Sequence, residues 1–92
     1  MHWKLFANLG ETAGEREVTV NVESGDTVGD ALSVLLETHP ELREEVLNED
    51  GELLDHIRVL RNSHDPFVTD DGLDTVLETD DELALFPPVS GG

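Results

Sequence analysis

The sequence contains no cysteine and very little positive charge, and each absence excludes a class of function. Five Lys and Arg residues stand against 22 Asp and Glu residues, so the formal net charge of the 92 residues is −17. Because a surface that contacts phosphate groups needs a basic face, binding to nucleic acid or to an anionic membrane surface is excluded. Without cysteine there is no disulfide framework, thiolate nucleophile or cysteine-based zinc site.

Long apolar runs are also absent. The longest, such as residues 83–86, are three or four residues long, whereas a helix that crosses a bilayer needs about 20. The first residues lead directly into patterned sequence, without the apolar stretch of a signal peptide. We therefore expect a single-domain cytoplasmic protein.

The acidity does not imply disorder, because Leu, Ile, Val and Phe together exceed the roughly 20% of residues below which disorder is expected. Many carboxylates beside a single lysine are typical of a protein that works in concentrated salt. We expect the fold to weaken in dilute buffer and to recover in molar KCl. The alternative interpretation is an acidic protein that binds basic partners.

The first half of the chain predicts two strands and a helix. Strands are expected at residues 2–9 and 17–22, paired as an antiparallel hairpin around a turn at Gly14. In the second strand Val18, Val20 and Val22 alternate with polar residues, so one face is buried. A helix then begins at Thr27, with a capping box, and ends before Pro40. A short helical turn is expected at 41–47.

The second half predicts two more strands, at residues 54–61 and 82–86. Residues 62–69 are expected to be a loop. The pattern at residues 73–77 is ambiguous and predicts no particular secondary structure. The order of strands and helix is typical of an α+β protein, in which one layer of sheet is covered by one helix.

No catalytic residue or metal site is predicted in the chain itself. The four histidines lack the close spacing of a metal-binding helix, and no serine stands out as a nucleophile beside a base. The acidic stretches at 48–51 and 70–74 lack the ligand order of an EF-hand, so solvated loops are the preferred interpretation.

The C-terminus is the most informative part of the sequence. Pro87 and Pro88 end sheet pairing after Phe86 and favour a stiff spacer. Gly91 and Gly92 leave the terminal carboxylate unhindered. We therefore predict a folded domain at 1–86 and a flexible tail at 87–92 that carries the reactive group. The alternative is an ordinary frayed terminus.

The end LFPPVSGG, the stretch DHIRVLRN and the opening WKLFANLGETAG resemble the ubiquitin-like small archaeal modifier proteins of the haloarchaeal type. These are relatives of MoaD, the small subunit of molybdopterin synthase, and more distantly of ThiS. The resemblance implies a ubiquitin-like β-grasp fold, with a mixed sheet on one main helix. One departure is Asn62-Ser63, where many relatives have Asn-Gly, and it puts the local turn geometry in question.

The resemblance also implies a reaction at the tail. An adenylating enzyme of the ubiquitin-activating type joins the carboxylate of Gly92 to AMP, with Gly91 as the steric companion. The activated carboxyl group then forms an isopeptide bond with a target lysine, or becomes a thiocarboxylate that supplies sulfur for molybdopterin synthesis. No cofactor is expected to bind this chain tightly, because ATP and magnesium are used by the partner enzyme.

Further partners implied by the resemblance are target-protein lysines, the large subunit of molybdopterin synthase and a deconjugating metalloprotease. Two alternatives stay open. The chain is either a molybdopterin synthase subunit only, or a β-grasp module that binds partners without covalent chemistry.

Two surface predictions follow. Lys4 is the only lysine and therefore the only side-chain amine that could accept a second copy of the modifier. If Val18 faces the core, the period of two places Phe6, Leu60 and Phe86 on the other face, as a patch for docking the activating enzyme. The alternative is that some of these three side chains pack beneath residues 63–80.

Overall fold

Four strands form one sheet in the computed structural model, which describes residues 1–23, 25–54 and 57–87. In chain order the elements are β1 (His2–Leu5), α1 (Asn8–Ala13), β2 (Glu17–Thr19), α2 (Val28–Thr38), a 3-10 turn (Pro40–Leu42), α3 (Arg43–Val46), β3 (Arg58–Arg61), α4 (Pro66–Thr69), a second 3-10 turn (Gly72–Asp74) and β4 (Glu82–Phe86).

The sheet is mixed, in the order β2-β1-β4-β3. The central strands β1 and β4 run parallel, with Trp3 opposite Leu83. The outer pairs are antiparallel, with Trp3 opposite Val18 and Val59 opposite Leu85. Because side chains alternate across a strand, these five residues share one face of the sheet, and all five are buried.

Helix α2 packs on that buried face. Thr27 caps it with a complete capping box, in which the Asp30 N–H donates to Thr27 Oγ1 and the Thr27 N–H donates to Asp30 Oδ2. The indole Nε1 of Trp3 donates a hydrogen bond of 3.2 Å to the carbonyl oxygen of Ala31. The predicted α+β arrangement, with a main helix on one sheet face, is therefore confirmed.

The antiparallel pairing of the first two strands is confirmed, but the first predicted strand is too long and most of the predicted turn before Gly14 is helical. The strand at 2–9 ends at Leu5, and residues 8–13 form α1. Leu9 and Ala13 are four residues apart, which places them on one side of a helix, where Leu9 is fully buried. Gly14 ends the helix in the left-handed conformation, with φ of 82°.

Strand β2 is also shorter than predicted. It pairs with β1 only as far as Thr19, opposite His2, and the Val20 N–H then bonds to the carbonyl of Met1. Pairing therefore stops where its partner strand begins. Val18 and Val20 are buried as predicted, whereas Val22 lies beyond the ladder and is half-buried.

In the second half, β3 begins at Arg58 rather than at residue 54, and residues 55–56 lie outside the described residues. The predicted loop at 62–69 contains α4, which Asp65 caps by accepting from the Phe67 N–H. An Asp followed by Pro at the first helical position is a sequence signal for a helix start. The predictions for the helical turn at 41–47 and for β4 are confirmed.

Candidate functional site: the outer sheet face and the root of the tail

The face of the sheet opposite α2 carries the residues that the sequence predicted as a docking patch. Lys4, Ala84 and Phe86 alternate with core residues along β1 and β4 and so point away from the helix. Leu60 of β3 lies directly opposite Ala84. We call the apolar part of this surface, Phe6, Leu60, Ala84 and Phe86, the docking face.

A stacked aromatic pair forms one end of the docking face. The rings of Phe6 and Phe86 have centroids 4.3 Å apart and are inclined by 11°. The Phe6 N–H donates to the carbonyl of Leu85 at 3.2 Å, which extends the parallel ladder one residue past β1 and holds Phe6 beside Phe86. Phe6 is 40% exposed, although burying such a ring would be favourable.

The remaining predicted patch residues are half-buried. Leu60 and Phe86 both keep part of their surface in solvent while lying in the sheet register. Large apolar groups that keep part of their surface in solvent on one face of a protein of charge −17 are typical of a partner-binding surface. The structure thus brings the three residues to one face, and their role in docking remains a prediction.

The tail begins next to the aromatic pair. β4 ends at Phe86, and Pro87 is the last residue that the structure describes. The predicted tail at 87–92, including Gly91 and Gly92, lies outside the described residues from position 88 onward. The structure therefore places Pro87, where the predicted tail would start, directly after Phe86 of the aromatic pair.

Lys4 lies at the margin of the docking face. Its Nζ is 3.3 Å from Glu82 Oε1, and the other oxygen of the same carboxylate is 3.2 Å from His2 Nε2. The Lys4 side chain is 41% exposed. Lys4 and Phe6 also line one surface depression, together with Arg16 and Glu17.

An acidic cluster on the loop before β4 has the spacing of a metal site but a different role. Carboxylate oxygens of Glu78, Asp80 and Asp81 lie within 4.8 Å of one another. The buried Asp81 accepts three hydrogen bonds, from Arg61 Nε at 2.9 Å, the Glu78 N–H at 2.8 Å and Asn62 Nδ2 at 2.8 Å. Since protein donors already occupy both its oxygens, Asp81 serves to join the loop to β3.

These donors also set the ionisation of Asp81. Burial by itself would raise the pKa of Asp81. The hydrogen bonds from Glu78, Asn62 and Arg61, with the positive charge of Arg61, outweigh burial and hold the pKa below its ordinary value of 3.8. Sequence patterns missed this network, because its members come from two segments that are far apart in the sequence, residues 61–62 and 78–81.

The sequence model of the ThiS family matches residues 3–92. The chain belongs to the ThiS family. It is 53% identical over 92 residues to small archaeal modifier protein 1 of Haloferax volcanii, covering 100% of both chains. The crystal structure of that protein superposes with a TM-score of 0.89, covering 99% of this chain and 97% of the other.

More distant relatives of this ThiS-family chain are also similar over nearly its whole length. Small archaeal modifier protein 3 of the same organism is 36% identical over 89 residues, covering 97% of this chain and 95% of the relative. A putative molybdopterin converting factor, subunit 1, from Pyrococcus furiosus is 25% identical, with a TM-score of 0.74 over 96% of this chain and 95% of the other.

These comparisons confirm the family and the ubiquitin-like β-grasp fold predicted from the sequence. They also confirm the predicted class, that of ubiquitin-like modifiers and sulfur carriers. Among the described residues, no helix is both long enough and apolar enough to cross a membrane.

Proposed function

We propose that this ThiS-family chain modifies proteins and carries sulfur through the C-terminal carboxyl group of Gly92. The observation that carries the proposal is full-length similarity to small archaeal modifier protein 1, with a family match that runs to residue 92. The Gly91-Gly92 end of this sequence is the feature that the chemistry needs.

The proposed chemistry starts with adenylation. A ubiquitin-activating-type enzyme joins the Gly92 carboxylate to the α-phosphate of ATP, and pyrophosphate leaves. The acyl carbon is then attacked by a lysine amine, giving an isopeptide bond, or by a sulfur nucleophile on the way to a thiocarboxylate, and AMP leaves in either case. ATP and magnesium are held by the partner enzyme. The chain supplies the reacting carboxyl group and no catalytic residue.

The docking face supports this proposal because it lies beside the start of the tail. An enzyme that covers Phe6 and Phe86 holds the chain directly before Pro87, where the tail begins. Holding both reactants in this way converts an encounter of two molecules into an aligned reaction at one site. Gly91 and Gly92 add no side chain to a tail that must enter a narrow channel.

Two outcomes of activation are proposed, with different partners. In the first, lysines of target proteins accept the carboxyl group, and a deconjugating metalloprotease releases it. In the second, the thiocarboxylate delivers sulfur with the large subunit of molybdopterin synthase. Similarity to the putative molybdopterin converting factor subunit of Pyrococcus furiosus favours keeping this second outcome. Intact mass of the chain from its own cells would reveal a thiocarboxylate, and an immunoblot of the lysate would reveal conjugates.

Removal of Gly91 and Gly92 tests the proposal directly. We expect the truncated chain to lose ATP–pyrophosphate exchange with the activating enzyme, because the carboxylate no longer reaches the α-phosphate and a shift of about 1 Å can cost on the order of a hundredfold in rate. Gly92→Ala should be milder, because a carboxylate remains near the right place. Circular dichroism should be unchanged by both. Equal exchange by full-length and truncated chains would leave a non-covalent binding module as the function.

Leu60→Ser tests the docking face. Loss of an apolar contact at the centre of an interface typically costs about 1–2 kcal/mol, so we expect the KM for exchange to rise about tenfold. The matched control is Val68→Ser, an apolar residue on α4 that is 80% exposed and outside the docking face, and it should leave KM unchanged. Equal KM values for the two variants would remove Leu60 from the interface, and loss of the fold would place it in the core.

A further inference from the structure

We propose that Lys4, at the margin of the docking face, is an acceptor site within the surface that the docked activating enzyme covers, so that a copy acylated on Lys4 can no longer be activated at its own tail. The inference rests on the proposed function, since it concerns the same face and the same carboxyl group. It adds that the order of the two reactions matters, because a copy that has accepted an acyl group on Lys4 can no longer give its own.

The sheet register places Lys4 within the surface that a docked enzyme must cover. Lys4 lies opposite Ala84, which in turn lies opposite Leu60. With neighbouring strands about 4.8 Å apart, Lys4 is about 10 Å from Leu60 across the sheet, and it is about 7 Å from Phe6 along β1. A standard interface buries about 800 Å² per partner, equivalent to a disc of roughly 16 Å radius. A disc centred on the docking face therefore includes Lys4.

The surroundings of Lys4 support its use as an acceptor. Its side chain is 41% exposed, and the Glu82 carboxylate fixes Nζ on the outer face at 3.3 Å. It shares a surface depression with Phe6. Lys4 is also the only lysine in the sequence, so a linkage between two copies through a side-chain amine has no other site on this chain.

The step balances with the reactants already named. The unprotonated Nζ of Lys4 forms a bond to the acyl carbon of an activated Gly92 from another copy. The bond from that carbon to the AMP oxygen breaks, and AMP leaves with the electron pair. The nitrogen gives up one proton, for which the Glu82 carboxylate is the nearest described acceptor. The product is an isopeptide bond to Lys4, and the copy attached through it covers the docking face.

A consequence follows for chain growth. In a pair of linked copies, the donor has used its carboxyl group, and the acceptor has a free tail but a covered docking face. The pair can therefore no longer be attached to a target through the acceptor's tail, although the free Lys4 of the donor can still accept a further copy. Chains linked through Lys4 should reach a target protein only when they are built on a copy that is already attached to it.

Amine acylation can test this, because Lys4 is the only side-chain amine that the reagent can modify. The full chain is treated with a bulky succinimidyl ester, biotinyl-aminohexanoyl, or with a small acetyl ester, and Lys4→Arg treated in the same way is the matched control for reaction at the α-amine. Mass spectrometry gives the occupancy of Lys4, and ATP–pyrophosphate exchange gives KM. We expect the bulky adduct to raise KM at least tenfold, the acetyl adduct to raise it less, and treated Lys4→Arg to stay within twofold of untreated protein.

Two results would overturn the inference. One is a KM for the bulky adduct within twofold of unmodified protein, which would place Lys4 outside the covered surface. The other is an equal loss in treated Lys4→Arg, which would assign the effect to the α-amine. Failure of unmodified protein to support exchange would instead overturn the proposed function itself, and the inference with it.

Discussion

At the scale of single residues, the turn after β3 keeps the backbone geometry typical of an Asn-Gly turn, although serine takes the place of glycine. Asn62 and Ser63 both have positive φ, 50° and 73°. The N–H groups of Arg61 and His64 each donate to the other's carbonyl, at 2.7 and 2.9 Å. Both central residues are therefore left-handed, as in a type I′ turn, where Asn-Gly is the preferred pair. Serine occupies the position that favours glycine.

Ser63→Gly should therefore stabilise the protein. Relief of the left-handed strain is worth about 1–2 kcal/mol, and the greater freedom of glycine in the unfolded chain offsets about 0.4–1 kcal/mol. We expect a net gain of about 0.5 kcal/mol, which corresponds to a rise in Tm of roughly 2–4 °C for a domain of this size. Calorimetry in molar KCl would measure the change. Ser63→Ala, which keeps the strain, is the control, and a Tm for Ser63→Gly at or below that of Ser63→Ala would contradict the prediction.

At the scale of elements, the loop before β4 is tied to β3 by one carboxylate. Asp81 receives donors from Arg61 at the end of β3, from Asn62 in the turn and from the backbone of Glu78. The side-chain oxygen of Asn62 in turn accepts from the Glu82 N–H at 3.0 Å. The antiparallel pair β3–β4 is thus closed at this end by side chains as well as by the ladder.

Asp81→Asn should weaken the fold most at neutral pH. The pKa of Asp81 is lowered by folding, so its carboxylate stabilises the folded state above the ordinary value of 3.8, and this stability is lost as the pH falls through the lower folded-state pKa. We expect a loss of about 1–3 kcal/mol near neutral pH. The difference from the unmodified chain should shrink below pH 3.8.

Denaturant unfolding at a series of pH values in molar KCl would measure this difference. The exposed neighbour Asp80 provides the control, because Asp80→Asn removes a charge from the same loop without removing those hydrogen bonds. A loss for Asp81→Asn that is the same at all pH values would show that the carboxylate charge is not what stabilises the loop.

The elements that the sequence predicted correctly are those whose signals are local. The start of helix α2 is indicated by its capping residue Thr27 and its end by Pro40, both within two residues of the helix. Strand β4 is indicated by alternating buried and partly exposed side chains followed by proline. The wrong predictions concern strand ends that depend on residues distant in the sequence. The end of β1 depends on whether Leu9 is buried by a strand or a helix, and the end of β2 depends on where β1 begins.

The candidate site divides in the same way. The period of two was enough to place Phe6, Leu60 and Phe86 on one face, but their contact depends on strand order. Only the parallel pairing of β1 with β4 stacks Phe6 on Phe86. The Asp81 network could not be predicted, because Arg61 and Asp81 are twenty positions apart in the sequence. The reactive group at Gly92 was inferred from the Pro87-Pro88 and Gly91-Gly92 pattern and from the resemblance, and it stays a prediction.

At the scale of the whole molecule, the high negative net charge is the main feature that opposes folding. The net charge is −17, and the lysine and arginine ion pairs among the described residues reach only Glu82, Asp70 and Asp81. Most of the 22 acidic residues therefore repel one another across the surface. Repulsion between exposed charges acts over a Debye length of about 10 Å at 0.1 M salt, but over only about 3 Å at 1 M.

We therefore expect Tm to rise steeply with KCl, with a loosened fold in dilute buffer and a compact one at molar concentration. Thermal melts followed by circular dichroism over that range would show it. Sucrose is the control, because it strengthens apolar burial by exclusion but does not screen charge. Equal stabilisation by KCl and by sucrose would point to burial instead, and a Tm that does not respond to KCl would contradict the prediction.

The parallel pairing at the centre of the sheet also determines how the protein responds to mechanical force. β1 enters the sheet at the edge where β4 begins, and β4 leaves at the opposite edge, beside the tail. A pull between the start of β1 and the tail drags these two strands past each other along their length. All the hydrogen bonds of the ladder then bear the load together, whereas antiparallel strands pulled from one edge open one bond at a time. Since forced unfolding depends on the unfolding rate, a copy gripped by its tail should be harder to unravel from that end than its modest size suggests.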